Sequence, residues 1–295
     1  MSDSLESKIR DQDSPGIPSG IPGLRVEGVS KGFPGVKALD DVSFFLRRGE
    51  VHAILGENGA GKSTLLKILS GALQPDSGRL LLDGKEITLR TPGSASELGI
   101  ATIYQELSLV PWLSVAHNLF LGRERSVGKF LLSRKRLKEK AVEVFSALGI
   151  SLDPAALAGD LGMAEQQLVE ISRAFSRNAR FILMDEPTAS LTETEINLLF
   201  AKIETLKKAG VGVLYISHRL EEIFRIADRV TVMRDGKTVY SGASGELSLS
   251  ELISRMVGRE IGNHYPKESM EPGELILKAG DGLSEIGRAS CRERV

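Results

Sequence analysis

A chain of 295 residues with 41% apolar residues is long enough for one large domain or two small ones and can fill a globular core. Lys+Arg 38 against Asp+Glu 39 gives a formal net charge of -1, so nothing in the bulk charge favours nucleic acid and none is expected as a partner. The single cysteine, Cys291, excludes an internal disulfide or a cysteine metal cluster; no run reaches the roughly 18 apolar residues of a membrane span, and no signal peptide opens the chain.

Met1 to Gly23 is polar and holds Pro15, Pro18 and Pro22 with Gly16, Gly20 and Gly23, the composition of a flexible lead-in. Leu24 to Val29 reads as a strand, Phe33-Pro34-Gly35 as a turn, and Leu39 to Phe44 as the approach to a second strand. Next comes a short apolar run, Val51 to Leu55, which opens onto Gly56-Glu57-Asn58-Gly59-Ala60-Gly61-Lys62-Ser63. That block fits G-x-x-x-x-G-K-[ST]. After Thr64, Leu65, Leu66, Ile68 and Leu69 recur at helical spacing, and Gly71 is placed to end the helix.

Strand, glycine loop and helix N-terminus, in that order, suit a nucleotide triphosphate. Glycines let successive N–H groups curl inward around the phosphates, and the helix adds the positive end of its dipole. Lys62 has the reach for the β- and γ-phosphates, and the Ser63 hydroxyl is a ligand for Mg²⁺.

Gln74 to Gly78 reads as a turn, and Arg79–Asp83 and Lys85–Leu89 flank an Asp83-Gly84 hairpin signal. Ile100 to Tyr104 is a buried strand ending at Gln105. From Pro111 to Asn178 the texture is helical. Leu137, Ala141, Val144, Phe145 and Leu148 share one face, and Arg134-Lys135-Arg136 lies on a solvated one. Asp160 to Gln167 opens a helix carrying Leu168, Ile171 and Phe175.

Phe181 to Met184 is apolar on both faces, as in a parallel sheet, and runs into Asp185-Glu186-Pro187-Thr188. Thr192 and Glu195 form a capping box for a helix with Ile196, Leu199, Ile203 and Leu206. Val211 to Ile216 is a further strand ending at Ser217-His218. A helix carrying Ile223, Phe224 and Ala227 follows, and Val230–Met233 and Thr238–Tyr240 flank an Asp235-Gly236 turn. This alternation defines an α/β fold with parallel strands and a ligand at their carboxyl ends.

Three strand ends therefore bring polar groups toward the phosphates. Asp185, behind four apolar residues, suits the Mg²⁺ shell, and Glu186 suits a general base or an orienter of the attacking water. His218 is a candidate γ-phosphate sensor, and Gln105 a bridge from metal or water to a neighbouring surface. Phe33 either anchors its loop or offers an adenine ring a flat platform.

With these residues in place, the chain resembles the ATP-binding-cassette ATPases, and within them the ATPase subunits of bacterial monosaccharide importers. The resemblance runs from about Leu24 to Gly258. It is carried by Ile103-Tyr104-Gln105-Glu106-Leu107, the phosphate loop, Met184 to Leu191, and Ile216 to Phe224. It implies a P-loop NTPase core with a parallel sheet, an N-terminal antiparallel β subdomain and an inserted helical subdomain. It also implies ATP and Mg²⁺ as cofactors. Phe33 then resembles the adenine-stacking aromatic and Gln105 the glutamine coupled to the membrane subunit. Glu186 resembles the catalytic glutamate, His218 the switch histidine, and Ser190-Leu191-Thr192 the D-loop.

The partners implied are a second cassette, membrane permease subunits and, through them, an extracytoplasmic sugar-binding protein, with the chain at the cytoplasmic face of the membrane. A nucleoside or furanoside importer, or a soluble cassette protein of translation or repair, is the alternative.

The signature segment departs from the family. Where the family has close to Leu-Ser-Gly-Gly-Gln, this chain has Leu161-Gly162-Met163-Ala164-Glu165, with Gly162 in the serine position. This puts the activity of the composite site using the segment in question. The expected layout is a flexible segment over 1–23, one cassette over 24–260, and a linker with the first strand of a second cassette over 261–284. Residues 285–295 resemble a translated sequencing-adapter oligonucleotide.

Overall fold

The structure is a computed structural model that describes residues 21–122, 133–246 and 248–257. Of the lead-in expected over 1–23, residues 1–20 lie outside the described residues, as do the second-cassette strand and the adapter-like tail, while Gly23 already opens a strand. The description begins with a long antiparallel hairpin, β1 (Gly23–Phe33) and β2 (Val36–Arg47), closed by Pro34-Gly35 with Gly35 at φ 81. Phe33 is thus the last residue of β1, opposite Val36, rather than part of the turn. With β4 (Ser77–Leu82) and β5 (Lys85–Ile87) the hairpin forms a four-stranded sheet in the order β2-β1-β4-β5.

A second sheet holds the strands predicted to be parallel. Its order is β10-β9-β3-β8-β7-β6, from β3 (Val51–Leu55), β6 (Ile100–Ile103), β7 (Phe181–Asp185), β8 (Gly212–Ile216), β9 (Arg229–Arg234) and β10 (Lys237–Ala243). The neighbours from β9 to β6 pair in parallel, and β10 returns antiparallel through the predicted Asp235-Gly236 turn.

The continuous apolar runs of these strands are buried on both faces. Ile182 and Met184 of β7, with Val213 and Tyr215 of β8, join one core cluster, while Phe181, Leu183, Leu214 and Ile216 join the other. Each such side chain contributes about 1.5–3 kcal/mol on burial, and a one-residue slip would exchange the two faces throughout.

Helix α1 (Lys62–Leu69) fills the second cluster with Leu65, Leu66, Ile68 and Leu69, together with residues of the antiparallel sheet. It ends at Gly71, φ 76, as predicted. A Cβ there would stand 2.5 Å from the Thr91 carbonyl oxygen, so only glycine fits. The short α2 (Pro92–Glu97) was not foreseen, although Thr91 caps it and Pro92 starts it.

The other face of the sheet is covered by α3 (Val115–Phe120), α4 (Arg134–Leu148), α5 (Met163–Ser176), α6 (Glu193–Lys208) and α7 (Leu220–Ile226). In α4 Leu137, Ala141, Phe145 and Leu148 are buried, Val144 is half-buried, and Arg134, Lys135 and Arg136 are exposed, as their spacing predicts. The Thr192–Glu195 capping box opens α6: Glu195 Oε2 accepts from the Thr192 N–H at 2.8 Å. In α7 Ile223 is buried but Phe224 is 42% exposed, and Ala227 lies just past the helix. A last helix, α8 (Leu249–Val257), had no sequence prediction. Among the described residues no helix is long and apolar enough to cross a membrane.

Candidate active site

The loop from Gly56 to Ser63 joins β3 to α1 at the carboxyl end of the sheet. Its glycines answer to different demands. A Cβ on Gly56 would lie 2.5 Å from the Met233 carbonyl oxygen, and one on Gly61 2.4 Å from that of Ala38. Gly59 has open space but sits at φ 88, where side chains are strained. Gly61 is the N-cap of α1 at φ 100 and brings no side chain to cap it. The first-turn N–H groups of Lys62, Ser63 and Thr64 have no partner in the helical ladder and form the positive end of the helix.

Lys62 is buried and folds back over the loop. Its Nζ donates to the carbonyls of Gly56 at 2.7 Å and Glu57 at 3.0 Å. Burial lowers its pKa below the ordinary lysine value, and the charges of Glu186 and Asp185 oppose the shift in part. Asp185, the last residue of β7, is displaced the other way. Burial raises its pKa, the Glu186 charge raises it further, and Lys62 and Lys67 oppose. A buried cation and a half-buried carboxylate thus influence one another's charge, each at a desolvation cost.

Glu186 takes a left-handed backbone at φ 43 just beyond the strand, held by its N–H donating to the Ile216 carbonyl at 2.9 Å. That geometry turns its side chain toward the end of β8. His218 Nδ1 lies 3.0 Å from Glu186 Oε1. The sequence placed these two residues at the ends of separate strands; the sheet brings them into contact.

Phe33 is 46% exposed and so lies outside the core. Its hairpin reaches the phosphate loop through Ala38, against Gly61. Gln105 is exposed in the segment after β6. Three residues on, Ser108 is tied to α5: its N–H and hydroxyl both donate to Glu170 Oε1 at 3.0 Å, and Arg173 donates to Glu170 Oε2. This buried carboxylate links the Gln105 segment to the helix that begins at the signature, and sequence reading passed over it as one more polar residue.

Leu161 precedes Gly162, the N-cap of α5, and Met163, Ala164 and Glu165 form its first turn. Glu165 Oε2 accepts from the Gly162 N–H at 3.0 Å. This is half of a capping box, since Gly162 has no side chain to return the bond. Met163 is 46% exposed beside it.

Several functional-looking groups escaped the sequence reading. Glu222 was read only as one residue of the Ile216–Phe224 stretch that carries the resemblance, yet it is buried and accepts from Thr188, Tyr215, Ser217 and Arg219. The Glu222-to-Ile223 adjacency on a short helix was the one signal available. Among the described residues no group of three or more His, Cys, Asp or Glu side chains could hold a metal by itself.

A glycine loop closing on a helix N-terminus, with a carboxylate pair and a histidine at the next strand ends, defines a P-loop nucleotide-binding protein of α/β class. The ABC transporter family matches residues 39–189, and the chain belongs to that family. It is 51% identical over 265 residues to the ribose import ATP-binding protein RbsA 1 of Streptomyces avermitilis, covering 90% of this chain and 50% of that protein. It is 45% identical over 270 residues to the galactose/methyl galactoside import ATP-binding protein MglA of Escherichia coli K12, covering 92% of this chain and 53% of that protein. The chain therefore spans about half the length of the curated relatives it matches.

Among solved structures, the ADP conformation of MJ1267, an ATP-binding cassette of an ABC transporter, matches with a TM-score of 0.71 at 31% identity. The match covers 81% of this chain and 100% of that one. The P-loop core and its accessory sheet and helices are thus the fold predicted from the resemblance.

Proposed function

We propose that this chain is the ATP-hydrolysing cassette of a monosaccharide importer, with the cassette spanning about 24–260. The observation that carries the reading is the contact of Glu186 with His218 at the two strand ends facing the Lys62 loop. The sugar-import part is supported by the ribose and galactose import relatives at 51% and 45% identity.

In this reading the loop N–H groups and the α1 dipole receive the phosphates, and Phe33 stacks on the base. Lys62 exchanges its two carbonyl partners for phosphate oxygens, which recovers the charge interaction its burial lacks. Glu186 takes the proton of the attacking water, and His218 holds Glu186 Oε1 in line with the γ-phosphate. The oxygen donors Ser63, Asp185 and Gln105 fit Mg²⁺, which is ordinarily held by one or two carboxylates plus substrate phosphates. When bound, Mg²⁺ supplies charge neutralisation at the transferred phosphoryl group.

Leu161 to Glu165 would face ATP held by the opposing second cassette, and Gln105 would report nucleotide state to the permease at the cytoplasmic membrane face. The test is reconstitution with a monosaccharide permease and its extracytoplasmic binding protein. ATPase activity that rises with ribose or galactose supports the import reading. Hydrolysis indifferent to every monosaccharide, or stimulated by a nucleoside or furanoside, overturns the sugar assignment.

A further inference from the structure

Glu222 has no place in the chemistry just described, yet the residue is only 4% exposed and its carboxylate accepts from four side chains. Oε1 accepts from the Thr188 hydroxyl at 2.7 Å and from Arg219 Nη1 at 3.4 Å. Oε2 accepts from the Tyr215 hydroxyl at 2.7 Å and the Ser217 hydroxyl at 3.1 Å. Ser217 in turn accepts from the Arg219 N–H at 3.0 Å.

The donors come from separate places. Thr188 lies two residues after Glu186, while Ser217 and Arg219 bracket His218 on both sides. Thr188 and Ser217 are themselves buried. Tyr215 lies on β8 and holds the carboxylate from beneath. Burial and the Glu222 charge push the Tyr215 hydroxyl well above its ordinary pKa, so it stays a donor throughout the working range.

An unpaired buried carboxylate is costly, and one with a full set of donors holds them rigidly. One carboxylate therefore spans the two loops that carry the Glu186–His218 contact. We infer that Glu222 is a positioning residue for hydrolysis: by clamping Thr188 on one side and Ser217 with Arg219 on the other, it sets the distance between Glu186 and His218. It acts through them and touches no reacting atom. The inference rests on the hydrolysis reading above.

The experiment is a double-mutant cycle on the full chain. Thr188→Val keeps the shape and removes one clamp bond, and Glu222→Gln keeps the size and removes the charge. Each should lower kcat roughly tenfold or more with KM for ATP within about twofold. In a Glu186→Gln background the same changes should cost less than about twofold, because the group they position is already gone. Tyr215→Phe removes the strand-side bond, and should lower the melting temperature while leaving kcat within about twofold.

Effects of Thr188→Val and Glu222→Gln that multiply fully with Glu186→Gln, or that lower the melting temperature without touching kcat, overturn the inference. A second readout needs no turnover. At fixed pH, Glu186→Gln shifts the ¹⁵N signals of the His218 ring, and that shift should shrink by about half or more when Glu222 is replaced by Gln. An undiminished shift refutes the clamp. If the wild-type chain hydrolyses no ATP, the hydrolysis reading fails, while the His218 signals still decide whether Glu222 sets the contact.

Discussion

Glu165 turns back on the head of its own helix, where its Oε2 accepts the Gly162 N–H at 3.0 Å. Glu165 stands where the family pattern ends in a neutral glutamine, which puts a carboxylate at the head of α5. The geometry is more specific: the carboxylate occupies one of the N–H groups that an anion at the α5 N-terminus would use. Gly162 at φ -64 is unstrained for any residue, and a Cβ there would meet only Glu165 Oε2, at 3.9 Å.

A serine therefore fits at Gly162 without displacing anything. In the assembled protein, Gly162→Ser with Glu165→Gln supplies a hydroxyl donor and removes the competing carboxylate. A hydrogen bond to a charged group is worth about 1.5–3 kcal/mol, so ATP affinity or turnover at the composite site should rise roughly ten- to hundredfold. Steady-state ATPase with nucleotide titration checks this. No gain would mean that the remaining N–H groups and the helix dipole already suffice.

Lys62→Ala should weaken ATP binding by roughly ten- to hundredfold, the loss expected for a charge-assisted contact to phosphate. The Gly56 and Glu57 carbonyls that Lys62 now occupies would be left to water, and the loop glycines would be untouched. Isothermal titration calorimetry with ATP measures the effect directly, and unchanged affinity would remove Lys62 from the phosphate site.

Glu186→Gln should leave ATP binding near wild type and slow hydrolysis by a factor on the order of 10²–10⁴, the range for loss of a general base. The amide can still meet His218 Nδ1, so the local structure survives while the proton acceptor is gone. Single-turnover hydrolysis separates the two effects. A rate close to wild type would show that the base lies elsewhere.

Asp185→Asn should stabilise the nucleotide-free chain at neutral pH. Burial raises the folded-state pKa of Asp185. Its contribution to stability is therefore full below the unfolded carboxylate value and is lost as pH rises through the raised folded value. The neutral amide avoids that loss. The variant should melt higher by roughly 2–4 °C for each kcal/mol recovered, with the gain fading as the pH falls toward the ordinary aspartate range. Melting curves at pH 7 and pH 4 test the sign. The same variant should lose the divalent-cation dependence of ATP binding if Asp185 belongs to the Mg²⁺ shell.

The phosphate loop, the parallel strands and most helix faces were legible in the sequence, because local geometry dictates them. A glycine loop between a strand and a helix has few folds open to it, and Leu137, Ala141, Phe145 and Leu148 have one periodicity to obey. Two elements were not read: the six-residue α2, carried by Thr91 and Pro92, and α8, although α8 is strongly amphipathic.

The chemistry between elements was decided only by the tertiary structure. Glu186 and His218 are 32 positions apart, Thr188 and Glu222 34, and Ser108 and Glu170 62. No local pattern encodes those pairs. They exist because β7 and β8 lie side by side in a parallel sheet, and because α5 packs back across the segment after β6. Position after an apolar strand made Glu186 a candidate base, while Glu222 was read only within the stretch that carries the resemblance. Burial set Glu222 apart, because a carboxylate removed from water must be met by donors, and those donors come from wherever the fold brings them.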